Sequence, residues 1–135
     1  MLKNEKILTL NEAKQIQPLV LAMIGDAVQT LYVREFVAKE LKVKVNKMTK
    51  LVSSAVNAKS QCELFKQIES QLLEDEVDIT RRARNSNIHT KAKNFSYFEY
   101  IHATALEALF GYLYLTGQNE RLNKFLKLTI ETIKN

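Results

Sequence analysis

Residues that interrupt or cross-link a fold are scarce in this chain. Its 135 residues include three glycines, one proline, one cysteine and no tryptophan. With so few helix breakers and no alternating apolar pattern, the composition predicts an all-α protein, and the length predicts a single domain over residues 1–135. The lone Cys62 excludes an intrachain disulfide and a cysteine-based zinc site, which fits a reducing compartment.

Long apolar runs are absent as well. The N-terminus carries charges of both signs without the apolar core of a signal peptide, and the longest apolar runs fall far short of the ~20 residues that span a bilayer. We therefore expect a cytoplasmic protein with no membrane partner. The net charge of +5 favours a polyanionic partner, although an excess of lysine is also a common means of staying in solution.

Apolar spacing predicts a succession of helices. Pro18 starts a long helix to about residue 39, further helices span about 46–56, 57–73 and 74–84, and two more span about 97–116 and 120–133. The first half of the helix that starts at Pro18 is apolar almost all round, which predicts burial on every side. Residues 85–94 are polar and predict a loop, followed by a helix cap at Asn94 or Ser96.

Two acidic residues lie in the two most apolar predicted helices. Asp26 follows Gly25, and Glu107 precedes Gly111 by one helical turn. A carboxylate in apolar surroundings is costly unless it is hydrogen-bonded, paired or bound to a metal, and no basic residue lies one turn from either acid. Taken alone, each acid is more simply explained as a hydrogen-bonded core residue. If the glycines let the two helices pack closely, both carboxylates share one cleft and bind a hard cation such as magnesium.

Positive charge is concentrated in one stretch. Residues 81–93 hold five basic and no acidic side chains, interleaved with neutral polar ones. Guanidinium groups with neutral donors between them suit a phosphate backbone, so the stretch predicts a nucleic-acid-binding surface. The candidate contacts are Arg81, Arg82, Arg84, Asn85, Lys91 and Lys93. The alternative is a solvated helix end whose basic residues complement the helix dipole.

Three short strings follow one another along the chain. They are Ile24-Gly-Asp-Ala-Val28, Arg81-Arg-Ala-Arg-Asn85 and Thr104-Ala-Leu-Glu-Ala-Leu-Phe-Gly-Tyr112. In this order and spacing they resemble the ribonuclease III family, in its compact Mini-ribonuclease III branch, over about residues 17–117. The resemblance implies an all-helical, homodimeric catalytic domain without an appended double-stranded-RNA-binding domain, which cleaves duplex RNA with magnesium (Mg2+).

The resemblance also assigns roles to single residues. Asp26 matches the signature-motif aspartate of the family and Glu107 its metal-binding glutamate, so both are implied to be catalytic metal ligands. Larger family members have two further acids where this chain has Ala22 and Thr104, which implies a site with fewer carboxylates. The implied reaction is hydrolysis of a phosphodiester by a metal-activated water, leaving 5′-phosphate and 3′-hydroxyl ends.

The resemblance implies trimming of the 23S ribosomal RNA precursor in bacteria, with help from ribosomal proteins, or of organelle RNA in plastids. The lack of a recognisable transit peptide favours the bacterial substrate. A twofold dimer matches a duplex whose two strands are each cut by one protomer. Two alternatives stay open. One is a non-catalytic ribonuclease III-like protein that binds RNA or the ribosome, which the neutral residues at 22 and 104 favour. The other is a helical protein-interaction module, which predicts no salt-dependent affinity for RNA.

Overall fold

The computed structural model describes residues 6–86 and 96–134, and every regular element in these two ranges is helical. The α-helices are α1 (Leu10–Lys14), α2 (Pro18–Phe36), α3 (Val45–Ala55), α4 (Ala58–Ile68), α5 (Glu74–Asn85), α6 (Tyr97–Leu115) and α7 (Asn119–Lys134). A π-helical turn, Val37–Leu41, extends α2, and a 3₁₀ turn, Glu69–Gln71, follows α4. The all-α prediction is confirmed. In the described ranges, no helix combines the length and apolarity needed to cross a membrane.

The two longest helices begin where local sequence signals predict. Pro18 opens α2, where its missing N–H group leaves no hydrogen bond unmade. Ser96, one of the two predicted caps, caps α6: its hydroxyl accepts from the backbone N–H of Glu99 at 3.1 Å, and the Glu99 carboxylate accepts from the Ser96 backbone at 3.3 Å. At the other end, Gly117 adopts a φ of 70°, the left-handed conformation that glycine favours after a helix.

Helices α2 and α6 form the centre of the fold, and α4 and α5 pack against α6. Every residue of α6 from 102 to 113 is buried except Glu107. A Cβ atom at Gly25 would overlap the carbonyl oxygen of Glu107 and lie 2.6 Å from its carbonyl carbon, and one at Gly111 would overlap the carbonyl oxygen of Leu21. Only glycine fits at either position, so the two backbones touch directly and bring Asp26 beside Glu107.

One expectation for α2 is wrong. Its first half was expected to be buried on all sides, yet Leu19, Val20 and Met23 are exposed, Met23 to 75%. The physical reason is that the described part of the chain provides no helix to cover this face, because α6 packs on the side that carries Gly25. An apolar segment indicates that its burial would be favourable. It does not establish that another part of the same chain buries it.

A buried ion pair fixes the start of α5. Glu76 is fully buried, and Arg121 of α7 donates to both of its carboxylate oxygens, from Nε to Oε2 and from Nη2 to Oε1 at 2.7 Å. The same guanidinium group donates to the carbonyl of Gln71 at 2.8 Å. The bidentate geometry satisfies a charge that burial alone would make very costly, and it ties α5 to α7.

Candidate active site

A cleft of about 370 Å³ opens between α2 and α6. The residues that line it are Leu19, Ala22, Met23 and Asp26 from α2 and Tyr100, Thr104 and Glu107 from α6. The α2 set follows the spacing i, i+3, i+4, i+7 and the α6 set the spacing i, i+4, i+7, so each set occupies one face of its helix. The structure thus brings the two carboxylates singled out in the sequence, 81 positions apart, into one cleft.

The electrostatics of the pair are unbalanced. Glu107 is half-buried and Asp26 is exposed. The pKa of the Glu107 carboxyl is raised to about 8, mainly by burial and secondly by the negative charge of Asp26. The protonated carboxyl is hydrogen-bonded to Asp26. Within residues 6–86 and 96–134, no basic side chain forms an ion pair with either carboxylate. A cation in the cleft would relieve this repulsion.

The two neutral departures from the larger family members lie in the same cleft. Ala22 is one turn before Asp26, and Thr104 is one turn before Glu107 with its hydroxyl committed to the carbonyl of Tyr100 at 3.0 Å. No group of three or more potential metal ligands occurs among the described residues. The cleft therefore offers two carboxylates, the number that Mg2+ often takes from a protein before water and phosphate oxygens complete its shell.

Two buried glutamines adjoin the site, and the sequence reasoning missed both. The amide nitrogen of Gln61 on α4 donates to Glu107 Oε2 at 3.4 Å and to Gln29 Oε1 at 2.9 Å. Gln29 on α2 donates in turn to Thr129 Oγ1 at 3.1 Å. The one available signal was Gln29, a polar residue in an apolar helix three positions after Asp26. Nothing in the sequence pairs Gln61 with Glu107.

His102 lies on the same helix as Glu107 and takes no part in the cleft. Its ring is buried against Phe98 and Phe65, with centroids 4.1 and 5.6 Å away, and its Nδ1 lies 2.7 Å from the carbonyl of Phe98. The described part of the cleft thus contains no histidine base. The titratable side chains that line the cleft are those of Asp26, Tyr100 and Glu107.

The basic residues of α5 are distributed over several surroundings. Arg81 is exposed, pairs with Asp78 at 2.6 Å and lines a separate groove beside α1. Arg82 donates to the carbonyl of Lys14 at 3.0 Å, and Arg84 lies 5.9 Å from the centre of the Phe65 ring.

The other candidate RNA contacts lie at or beyond the end of α5. Asn85 is the exposed last residue of α5. The candidates Lys91 and Lys93 lie outside the described residues.

Comparison with known proteins agrees with the resemblance. The Ribonuclease III domain family matches residues 19–118. Mini-ribonuclease 3 of a Thermoanaerobacter species is 42% identical over 98% of this chain and 94% of that protein, and the Staphylococcus aureus Mini-ribonuclease 3 is 39% identical over 91% and 93%. A crystal structure from Fusobacterium nucleatum matches with a TM-score of 0.80 and 34% identity over 86% and 93%. The chain therefore belongs to the ribonuclease III family of endoribonucleases, in its Mini-ribonuclease III branch.

Proposed function

We propose that this endoribonuclease cleaves double-stranded RNA in the cleft between α2 and α6, with Mg2+ held by Asp26 and Glu107. The observation that carries the proposal is a pair of adjacent carboxylates in a cleft, with no ion-pair partner in the described part of the chain. Enzymes of the ribonuclease III family generally use a divalent metal ion. A hard cation with two carboxylate ligands fits the donor atoms that the cleft provides.

The chain contributes ligand positions that are set before substrate arrives. Asp26 and Glu107 come from two helices whose backbones touch at Gly25, so the spacing of the ligands is fixed by packing rather than by loops. When bound, a divalent ion lowers the pKa of a coordinated water and stabilises the oxygen that leaves the scissile phosphate. Glu107 must be ionised to act as a ligand, so binding in the neutral range releases its proton.

Duplex RNA is recognised through its shape, phosphates and 2′-hydroxyls, because its deep groove excludes side chains. For this contact we propose Arg81, Arg82, Arg84, Asn85, Lys91 and Lys93. Arg82 also holds the carbonyl of Lys14, so a substitution there is expected to disturb α1 as well as any RNA contact. Arg84 is half-buried at the end of α5 and has no hydrogen bond to another helix within residues 6–86 and 96–134, so it is the cleaner probe of phosphate binding.

The resemblance further supports the 23S ribosomal RNA precursor as natural substrate, with ribosomal proteins as helpers and products bearing 5′-phosphates. The experiment for this part maps RNA ends in cells that contain the wild-type protein or Asp26→Asn. Precursor ends of 23S RNA are expected to accumulate with the variant. If the 23S ends were unchanged and the ends of other duplex RNAs were altered, those RNAs rather than the 23S precursor would be the substrate.

A homodimer is proposed on the exposed apolar surface next to the cleft. Leu19 and Met23 line the cleft and Val20 adjoins them, while Tyr97 and Phe98 at the start of α6 are exposed to 44% and 53%. Apolar patches of this kind mark protein interfaces. Met23→Asp is expected to yield monomers in sedimentation equilibrium, whereas Val77→Asp, at an exposed position of α5, is expected to leave the dimer intact. A monomeric wild-type protein would contradict the dimer.

The cleavage assay uses an end-labelled RNA duplex with Mg2+. Asp26→Asn is expected to cut about 1,000-fold more slowly or not at all, because it removes a ligand, and to bind the duplex within a few-fold of wild type in chelator. Glu131→Gln, the same loss of one charge on the exposed face of α7, is the matched control and keeps full activity. A wild-type protein that fails to cut with Mg2+ or Mn2+ would refute the proposal.

A further inference from the structure

We propose that Gln61 is a positioning residue that holds Glu107 in its ligand geometry, and that Gln29 and Thr129 hold Gln61. The inference rests on the proposed function, since it gives Gln61 a role at the proposed metal site. Gln61 does not line the cleft, and it reaches Glu107 from α4, on the interior side.

The contacts of Gln61 are those of a fixed donor. The side chain is 5% exposed, and its single amide nitrogen donates to Glu107 Oε2 at 3.4 Å and to Gln29 Oε1 at 2.9 Å. An amide nitrogen carries two N–H bonds, so both contacts form together. Gln61 donates to Oε2 of Glu107 and makes no hydrogen bond to Oε1.

The orientation of the Gln61 amide is set by the rest of the network. Gln29 is fully buried and uses its nitrogen to donate to Thr129 Oγ1 at 3.1 Å, so its oxygen is the end that faces Gln61. The Gln29 oxygen can only accept a hydrogen bond, and so can the carboxylate of an ionised Glu107. Both neighbours therefore require the nitrogen end of Gln61. The network connects α2, α4 and α7 to one oxygen of one ligand.

Hydrogen bonds between buried polar side chains restrict the geometry of a site more than apolar packing does. The three members of this network are all at most 5% exposed, and an apolar side chain would fill the same space without fixing the Glu107 rotamer. Ligating carboxylates are commonly held by such outer hydrogen bonds, and their loss typically weakens metal affinity or activity about 10- to 100-fold. Gln61 occupies this role for Glu107.

The test measures Mn2+ binding to the intact protein by electron paramagnetic resonance, beside cleavage of an RNA duplex. Gln61→Met keeps the length of the side chain and removes the donor. Its Mn2+ affinity is expected to fall about 10- to 100-fold. Cleavage is expected to show a lower kcat at limiting metal, an unchanged KM for RNA, and recovery when the metal concentration is raised.

Two further variants separate positioning from stability. Leu64→Ala, a buried residue of the same helix, lowers Tm and leaves the Mn2+ affinity unchanged. Gln61→Asn keeps a buried amide but withdraws it by one methylene, so it tests the same contact if Gln61→Met fails to fold. If wild type binds Mn2+ and cuts duplex RNA while the folded Gln61 variants bind Mn2+ equally tightly, the positioning role is refuted. A wild type that binds no Mn2+ overturns the proposed function, and this inference with it.

Discussion

Replacing Glu107 with glutamine is expected to stabilise the metal-free protein at alkaline pH while removing a carboxylate that we propose as a metal ligand. The amide has nearly the volume of the carboxyl group. Its oxygen can accept from Gln61 as the carboxylate does, and its nitrogen can donate to Asp26 as the protonated carboxyl does. What disappears is a negative charge in a half-buried position beside a second one.

The magnitude follows from the pKa of Glu107, which burial and the charge of Asp26 raise from 4.5 to about 8. Between these pH values the folded protein keeps a proton that the unfolded chain has lost, so wild-type stability falls as pH rises through this window. At roughly 1.4 kcal/mol per pKa unit, complete burial would correspond to about 5 kcal/mol. Solvent reaches the half-buried side chain and screens its charge, so we expect about 2 kcal/mol.

The assay is urea denaturation in the presence of chelator, at pH values near both ends of the window, with the exposed Glu131→Gln as control. Near pH 5, wild type and Glu107→Gln are expected to unfold alike, and near pH 9 the variant should be more stable by about 2 kcal/mol. Glu131→Gln should follow wild type at both values. A Glu107→Gln variant no more stable than wild type near pH 9 would refute the electrostatic reasoning.

Substitutions at three other places have distinct expected effects. Gly25→Ala would force α2 away from the Glu107 carbonyl, so we expect urea denaturation to show an unfolding free energy lower by about 3 kcal/mol or more. A loss below about 1 kcal/mol would contradict the close contact. Arg121→Met leaves the buried Glu76 unpaired and should cost about 3–5 kcal/mol, and a neutral effect would contradict the buried pair. Arg84→Ala should make the salt dependence of duplex affinity shallower by about one counterion, and an unchanged slope would exclude a phosphate contact.

Local signals in the sequence were enough to predict the two helices that carry the candidate site and their close contact. Pro18 and Ser96 begin the two central helices because capping depends on residues within one turn. Gly25 and Gly111 indicated a close approach of two helices, because a glycine inside a helix is destabilising unless packing or function requires it. The backbones of α2 and α6 do touch at these two positions. The shared cleft of Asp26 and Glu107 follows from these two features.

The contacts that depend on how separate helices pack were not predictable. Gln61 lies 46 positions before Glu107 in the sequence, and its hydrogen bond to Glu107 depends on where α4 packs. Arg82 was predicted as a phosphate contact, which stays a prediction, and its hydrogen bond to the carbonyl of Lys14 is a partner that nothing in its own neighbourhood indicates. Periodicity and charge give the face of a helix, whereas these partners are decided by tertiary packing.

The central claim is that Asp26 and Glu107 act as one metal-dependent site. The most direct measurement is the rate of duplex cleavage with Mg2+ by wild type, Asp26→Asn, Glu107→Gln and the double variant. Residues that act as a unit are not additive, so each single substitution is expected to lose about 1,000-fold or more and the double variant to be no slower than either. Losses that multiply in the double variant, or a single variant that cuts at nearly the wild-type rate, would contradict the claim.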